Sequence, residues 1–226
     1  LGATSHMEPH PATLLGAVDM PPLEVAQLYL TLADGGFHAP LRSIRSVIAA
    51  DGRPLKRYGL AVEQRFDPAT VFLLNHALAR VVSSGTARSL AAILPQAAAG
   101  KTGTSDNLRD SWFAGFTGDR VAVTWLGRDD NSSTGLTGAS GALEVWGRVM
   151  GAINAKPLEL SPPPGITWAQ VESGQYQGSD RDEWSTATLP FRRGTMPPNL
   201  KASDREGSAS APGATLGDRI KKFLGW

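Results

Sequence analysis

Three strand-like runs, Gln96 to Thr104, Ser111 to Thr117 and Arg120 to Gly127, follow one another with only short turns between them. Gly118-Asp119 separates the last two, a tight-turn pair that predicts an antiparallel hairpin. Helical text flanks these strands rather than alternating with them. "PPLEVAQLYLTLADGG" sets Leu23, Ala26, Gln27, Leu30 and Ala33 at three- and four-residue steps, with prolines in the entry turn and Gly35-Gly36 past the end. Asp67-Pro68 reads as an N-cap followed by proline at the first helical position, opening a second helix that runs to Ser83. "GASGALEVWGRVMGAI" offers Leu143, Val145, Trp146, Val149 and Met150 for a helix that covers the sheet. "LRSIRSVIAADGRPLKRYG" predicts a further hairpin turning on the two residues Asp51-Gly52. The elements from 21 to 155 therefore predict an α+β fold, an antiparallel sheet covered by helices.

Hydrophobic residues make up 41% of the 226, enough for one substantial core with an appendage. The core is expected in 1–155, since the proline run at Ser161-Pro162-Pro163-Pro164-Gly165 marks a drop in apolar density. Residues 156–200 then read as a small extended appendage holding Trp168, Trp184 and Phe191, and 201–226 as a flexible tail. The tail ends in "RIKKFLGW", a short amphipathic end. Lys and Arg number 22 against 21 Asp and Glu, a net charge of +1, which argues against a nucleic-acid partner. There is no cysteine, hence no disulfide frame and no thiolate metal site. His6 and His10 stand four apart, but Pro9 and Pro11 spoil the helix that would bring them to one metal. His76, among leucines in the second helix, reads as a structural histidine. No metal or other cofactor is expected.

"AAGKTGTSD" at 98–106 contains two unrelated possibilities, a phosphate loop in G-K-T or a substrate edge in K-T-G-T. A phosphate loop needs glycine five positions before its Gly-Lys pair, where this chain has Pro95. The edge reading needs an extended strand, which places the side chains of Thr102 and Thr104 on one side. Gly103 between them removes a Cβ that would obstruct a peptide lying alongside. The backbone N–H of Thr104 could then meet a carbonyl oxygen that becomes negative during acyl transfer, the two hydroxyls a terminal carboxylate, and Lys101 would supply positive charge.

Taken in order, "EVAQLYLTLADGG", "VVSSGTARSL", "AAGKTGTSDN", "DSWFAGFTGD", "VAVTWLGRDDN" and "GASGALEVWGRVM" closely resemble the C-terminal half of the transpeptidase domain of class A penicillin-binding proteins. "LPFRRGTMP" and "IKKFLGW" are similar to the 1B type of that class. The resemblance implies a serine transpeptidase, β-lactamase-like fold, incomplete at its N-terminus. It also implies a bifunctional peptidoglycan synthase with a glycosyltransferase domain, held at the periplasmic face of the bacterial inner membrane by an anchor outside this chain. Its ligands would be peptidoglycan stem peptides and β-lactams, and its partners an outer-membrane lipoprotein activator and other cell-wall synthesis proteins. Of the family's three motifs, S-x-x-K, S-x-N and K-T-G, only the last stands in its place, giving Lys101 a catalytic role and Thr102, Gly103 and Thr104 substrate binding.

Ser105-Asp106-Asn107 spells S-D-N, but it follows K-T-G directly instead of lying well upstream, and so reads as the start of a turn. No serine stands three positions before any lysine. The chain opens at Leu1; Ser5-His6-Met7 resembles a cloning scar, yet the apolar text from Ala12 to Val18 runs on without a linker and favours natural sequence. The expectation is a C-terminal fragment whose nucleophile lies elsewhere. The alternative is a non-catalytic interaction module that kept the fold; a β-lactamase fits less well with the Gly-, Ser- and Pro-rich tail.

Overall fold

The computed structural model describes residues 1–173 and 185–203. Trp184, most of the tail and the amphipathic "RIKKFLGW" end lie outside the described residues. The chain divides into two compact units, Leu1–Glu159 and Leu160–Trp226.

In the first unit, α1 (Pro22–Ala33) leads into β1 (Phe37–His38), β2 (Ser46–Ile48), β3 (Pro54–Arg57) and β4 (Glu63–Gln64), then α2 (Pro68–Ser83). β5 (Ala99–Thr104), β6 (Ser111–Phe116) and β7 (Val121–Leu126) form one antiparallel sheet in the order β5-β6-β7, and α3 (Ala142–Ala152) follows. The second unit holds β8 (Ile166–Ser173) and β9 (Ser185–Arg192), an antiparallel hairpin. Among the described residues, no helix is long and apolar enough to cross a membrane.

The two faces of the sheet bury different clusters because side chains alternate along each strand. Phe113 of β6 packs with Leu143, Trp146 and Met150 of α3 and with Leu90. Its neighbour-but-two, Phe116, points the other way, into Leu32 of α1 and Val71 and Leu78 of α2. The Phe113 and Trp146 rings meet edge to face with centroids 5.0 Å apart, and Trp146 Nε1 donates to the Ala122 carbonyl at 3.1 Å. The tight turn between β6 and β7 closes where Thr117 N donates to Arg120 O at 2.9 Å.

Several local expectations are adjusted. In the stripe of α1, Gln27 is buried as its step implies, but Leu23 is 69% exposed, and Thr31, outside the stripe, is buried. These polar groups are satisfied: Gln27 Oε1 accepts from Leu41 N at 2.8 Å and Thr31 Oγ1 donates to Leu1 O at 2.9 Å. On α3, Val145 and Val149 face outward, and the buried stripe is Ala142, Leu143, Trp146, Gly147 and Met150. The β2–β3 hairpin turns on three residues rather than two. Ala49 N donates to Arg53 O at 2.9 Å across Ala50-Asp51-Gly52, with Gly52 at φ 83° and Asp51 Oδ1 accepting from Arg53 N.

β5 begins at Ala99 instead of Gln96, because the preceding residues are claimed by the chain after α3: Gln96 Nε2 donates to Ala155 O at 2.5 Å and Leu158 N to Ala97 O at 2.8 Å. The same segment extends the first unit to Glu159, since Lys156 O and Lys156 N bond Gly118 N and the Asp119 carboxylate.

Asp67 caps α2 with Oδ2 accepting from Thr70 N at 3.0 Å. Asp67→Ala is expected to cost about 1 kcal/mol, the usual loss when an N-cap acceptor is removed, read as a shift in the urea midpoint with unchanged slope. His76 lies half-buried in the same helix with its ring 6.3 Å from that of Phe72. Burial, helped by the Arg80 charge, lowers its pKa. At the N-terminus His6 pairs with Glu8 at 2.9 Å, and His10 Nδ1 caps a short 3-10 turn, Pro11–Leu15, by accepting from Ala12 N.

Candidate functional site: the free edge of the sheet

β5 pairs with β6 on one side and has no strand on the other among the described residues. Its ladder continues past the strand end, where Ser105 N donates to Asp110 O at 3.2 Å. Counting back by twos along an antiparallel register, the hydrogen-bonded pairs are Gly103 with Trp112 and Lys101 with Ala114. Thr102 and Thr104 alternate with them, so their backbone N–H and C=O groups point away from β6, out of the sheet. Lys101 uses one of these outward groups, Nζ donating to Thr102 O at 2.9 Å.

The side chains divide between the faces. Lys101 and Gly103 lie on the face toward α1 and α2, while Thr102 and Thr104 lie with Phe113 and Ser111 on the face toward α3. Lys101 and Thr104 are exposed, and Thr102 and Gly103 half-buried. The two hydroxyls do share one side, and each is already held. Thr102 Oγ1 is 2.8 Å from Thr86 Oγ1, in the loop after α2, and Thr104 Oγ1 accepts from Gly138 N at 2.9 Å. Gly103 answers to its own sheet as well as to any ligand: a Cβ there would stand 3.0 Å from the Cβ of Trp112. Over residues 101–104 the edge thus offers two outward amide protons, one ammonium and two oriented hydroxyls, a set suited to a peptide ending in a carboxylate.

Ser105-Asp106-Asn107 lies in the turn, as its position after K-T-G implies. Ser105 Oγ donates to Asp110 Oδ2 and accepts from Asp110 N, both at 2.8 Å, while Trp125 Nε1 donates to Asp110 Oδ1 at 2.9 Å. Asn107 and Leu108 take left-handed backbone conformations at φ 60° and 54°. Thr86 and Gly138 were not singled out from the sequence. Nothing in periodicity marks them, since each meets β5 only through tertiary contact.

Residues 9–142 match the family model described as the penicillin-binding protein transpeptidase domain. The chain belongs to this family. It is 44% identical to penicillin-binding protein 1B of Escherichia coli (strain K12) over 174 residues, covering 76% of this chain and 20% of that protein. It is also 44% identical to penicillin-binding protein 1B of Vibrio cholerae over 162 residues, covering 71% of this chain and 21% of the relative. Penicillin-binding protein 1A of Neisseria meningitidis matches over 222 residues at 31% identity, 92% of this chain and 27% of its own. The chain therefore spans about a fifth of the 1B relatives. In fold, penicillin-binding protein 1A from Haemophilus influenzae superimposes with a TM-score of 0.70 at 24% identity, covering 82% of this chain and 34% of that one. The penicillin-binding protein PonA1 from Mycobacterium tuberculosis gives 0.57 at 23%, covering 69% and 44%. These likenesses match the α+β transpeptidase fold and the 1B-type resemblance.

Proposed function

We propose that residues 1–226 form the C-terminal part of a bifunctional peptidoglycan synthase and contribute the substrate edge of its D,D-transpeptidase. The observation that carries this reading is the open edge of β5 in a chain of this family, with the outward amides of Thr102 and Thr104 flanked by Lys101 and by two held hydroxyls. A stem peptide or a β-lactam lies along the edge as an added strand. Its terminal carboxylate is received by the hydroxyls of Thr102 and Thr104 and by the field of Lys101. The scissile carbonyl oxygen is received by the Thr104 N–H, which contributes about 2.7–4 kcal/mol as charge develops on that oxygen.

A serine Oγ bonds to the carbonyl carbon as the peptide C–N bond breaks, and the serine proton passes to the leaving amine. An acceptor amine of a second stem peptide then bonds to the same carbon as the ester C–Oγ bond breaks, and an amine proton returns to the serine oxygen, completing the cross-link and restoring the serine. Residues 1–226 contain no S-x-x-K, so in this reading the nucleophile and its base come from sequence beyond them, as do the glycosyltransferase and membrane anchor. The working location is the periplasmic face of the inner membrane, with an outer-membrane lipoprotein activator as partner.

A fluorescent penicillin separates this reading from an interaction module that kept only the fold. The longer protein carrying these residues is expected to label stoichiometrically, and residues 1–226 alone not at all. Ser105, the serine nearest the edge, is occupied with Asp110 on both its donor and acceptor sides. Labelling mapped to a serine within 1–226 overturns the division of roles; an unlabelled longer protein supports the interaction module.

A further inference from the structure

The hydroxyl of Thr104 can donate a hydrogen bond, accept one, or do both. Only donation serves an anionic ligand. Gly138 N donates to Thr104 Oγ1 at 2.9 Å, which occupies an oxygen lone pair and leaves the hydroxyl proton for a ligand. Gly138 is buried directly against the β5–β6 ladder. A Cβ built on it would lie 2.6 Å from Gly103 O, 2.6 Å from Trp112 O and 2.9 Å from Gly103 N, all backbone atoms of the pair next to Thr104. No side chain fits without displacing the edge.

The turn that carries Gly138 is braced from three directions. Ser111, fully buried in β6, donates from Oγ to Thr137 O at 2.7 Å and accepts from Ala142 N at 2.9 Å. Leu143 N in the first turn of α3 donates to Gly138 O at 2.9 Å. Ser140 Oγ accepts from Thr137 N at 3.0 Å. The Gly138 amide is thereby fixed to the sheet and the helix, and cannot turn away from Thr104 without breaking these bonds.

We infer that Gly138 is a positioning residue for anion recognition: its amide fixes the Thr104 hydroxyl as a donor, and its missing side chain lets the turn before α3 approach the edge closely enough to do so. The inference rests on the transpeptidase reading and adds to it the residue that sets the preference for a carboxylate terminus.

The test uses the longer protein and compares acylation rate constants for a penicillin and its methyl ester, which differ in the negative charge. Both need the oxyanion donor and the nucleophile, so their ratio isolates carboxylate recognition. In the native protein the free acid is expected to react faster. Gly138→Ala is expected to lower the acid-to-ester ratio about tenfold, and Thr104→Val to lower it comparably. The double variant should fall no further, because both changes remove one and the same donor. A native ratio in folded Gly138→Ala, or a full second loss in the double variant, overturns the inference. If Gly138→Ala fails to fold, Ser140→Ala loosens the same turn, with about a threefold drop expected; an unchanged ratio there also overturns it. A native protein that acylates but shows no acid preference sinks this inference alone. One that does not acylate sinks the transpeptidase reading with it.

Discussion

Lys101→Ala in the longer protein is expected to slow acylation by a penicillin by about 10²- to 10⁴-fold, the usual contribution of a positioned proton-transfer or charge group. The fold should be indifferent to the change. Lys101 is exposed, and its ammonium donates to the carbonyl of its own neighbour, Thr102, rather than to a distant element. Stopped-flow acylation and thermal unfolding, run on the same preparations, check the two halves of this expectation. Thr104→Val should be the milder variant, since its backbone N–H survives and only the hydroxyl is lost. A normal acylation rate in Lys101→Ala removes that residue from the reaction, and a Thr104→Val more damaged than Lys101→Ala reverses the assigned roles.

Trp146→Ala carries the largest expected effect on stability. The side chain is fully buried, packs edge to face on Phe113, and donates from Nε1 to Ala122 O at 3.1 Å. Truncating a buried aromatic of this size costs about 3–5 kcal/mol through lost burial and the cavity left behind. A loss near the top of that range would leave a domain of ordinary stability barely folded. Trp146→Phe restores most of the volume but removes the second donor to the Ala122 carbonyl, which keeps its ladder bond to Gly115, at about 0.5–1.5 kcal/mol. Urea unfolding of the two variants should rank them in that order. A Trp146→Ala loss under about 1 kcal/mol would mean the site collapses to fill the space, contrary to a close-packed core. Phe113, the ring that Trp146 packs on, stands opposite Thr102 in the β5–β6 register.

Much of the fold was legible because its signals are local. The cap and proline at Asp67-Pro68 open α2, and Gly118-Asp119 separates β6 from β7, through bonds spanning a few residues. The K-T-G-T text of β5 and its position after the helices carried the family resemblance and the candidate residues. Burial was less legible wherever a polar side chain finds a distant backbone partner. Thr31 of α1, outside the periodic stripe, lies inside while Leu23 of that stripe lies outside, because Leu1 O is brought to the Thr31 hydroxyl by the fold.

The sequence by itself determined the helix starts, the antiparallel character of the central strands and the residue types along the edge, since each depends on neighbours a few positions away. Tertiary structure alone decided how that edge is presented. It starts β5 at Ala99, where Gln96 and Ala97 are drawn to Ala155 and Leu158, and it commits Ser105 to Asp110. It also brings Thr86 to Thr102 across sixteen positions and Gly138 to Thr104 across thirty-four. A hydroxyl's direction is set by whatever polar group stands within about 3 Å of it, and groups so far apart in the chain become neighbours only after helix and sheet have packed.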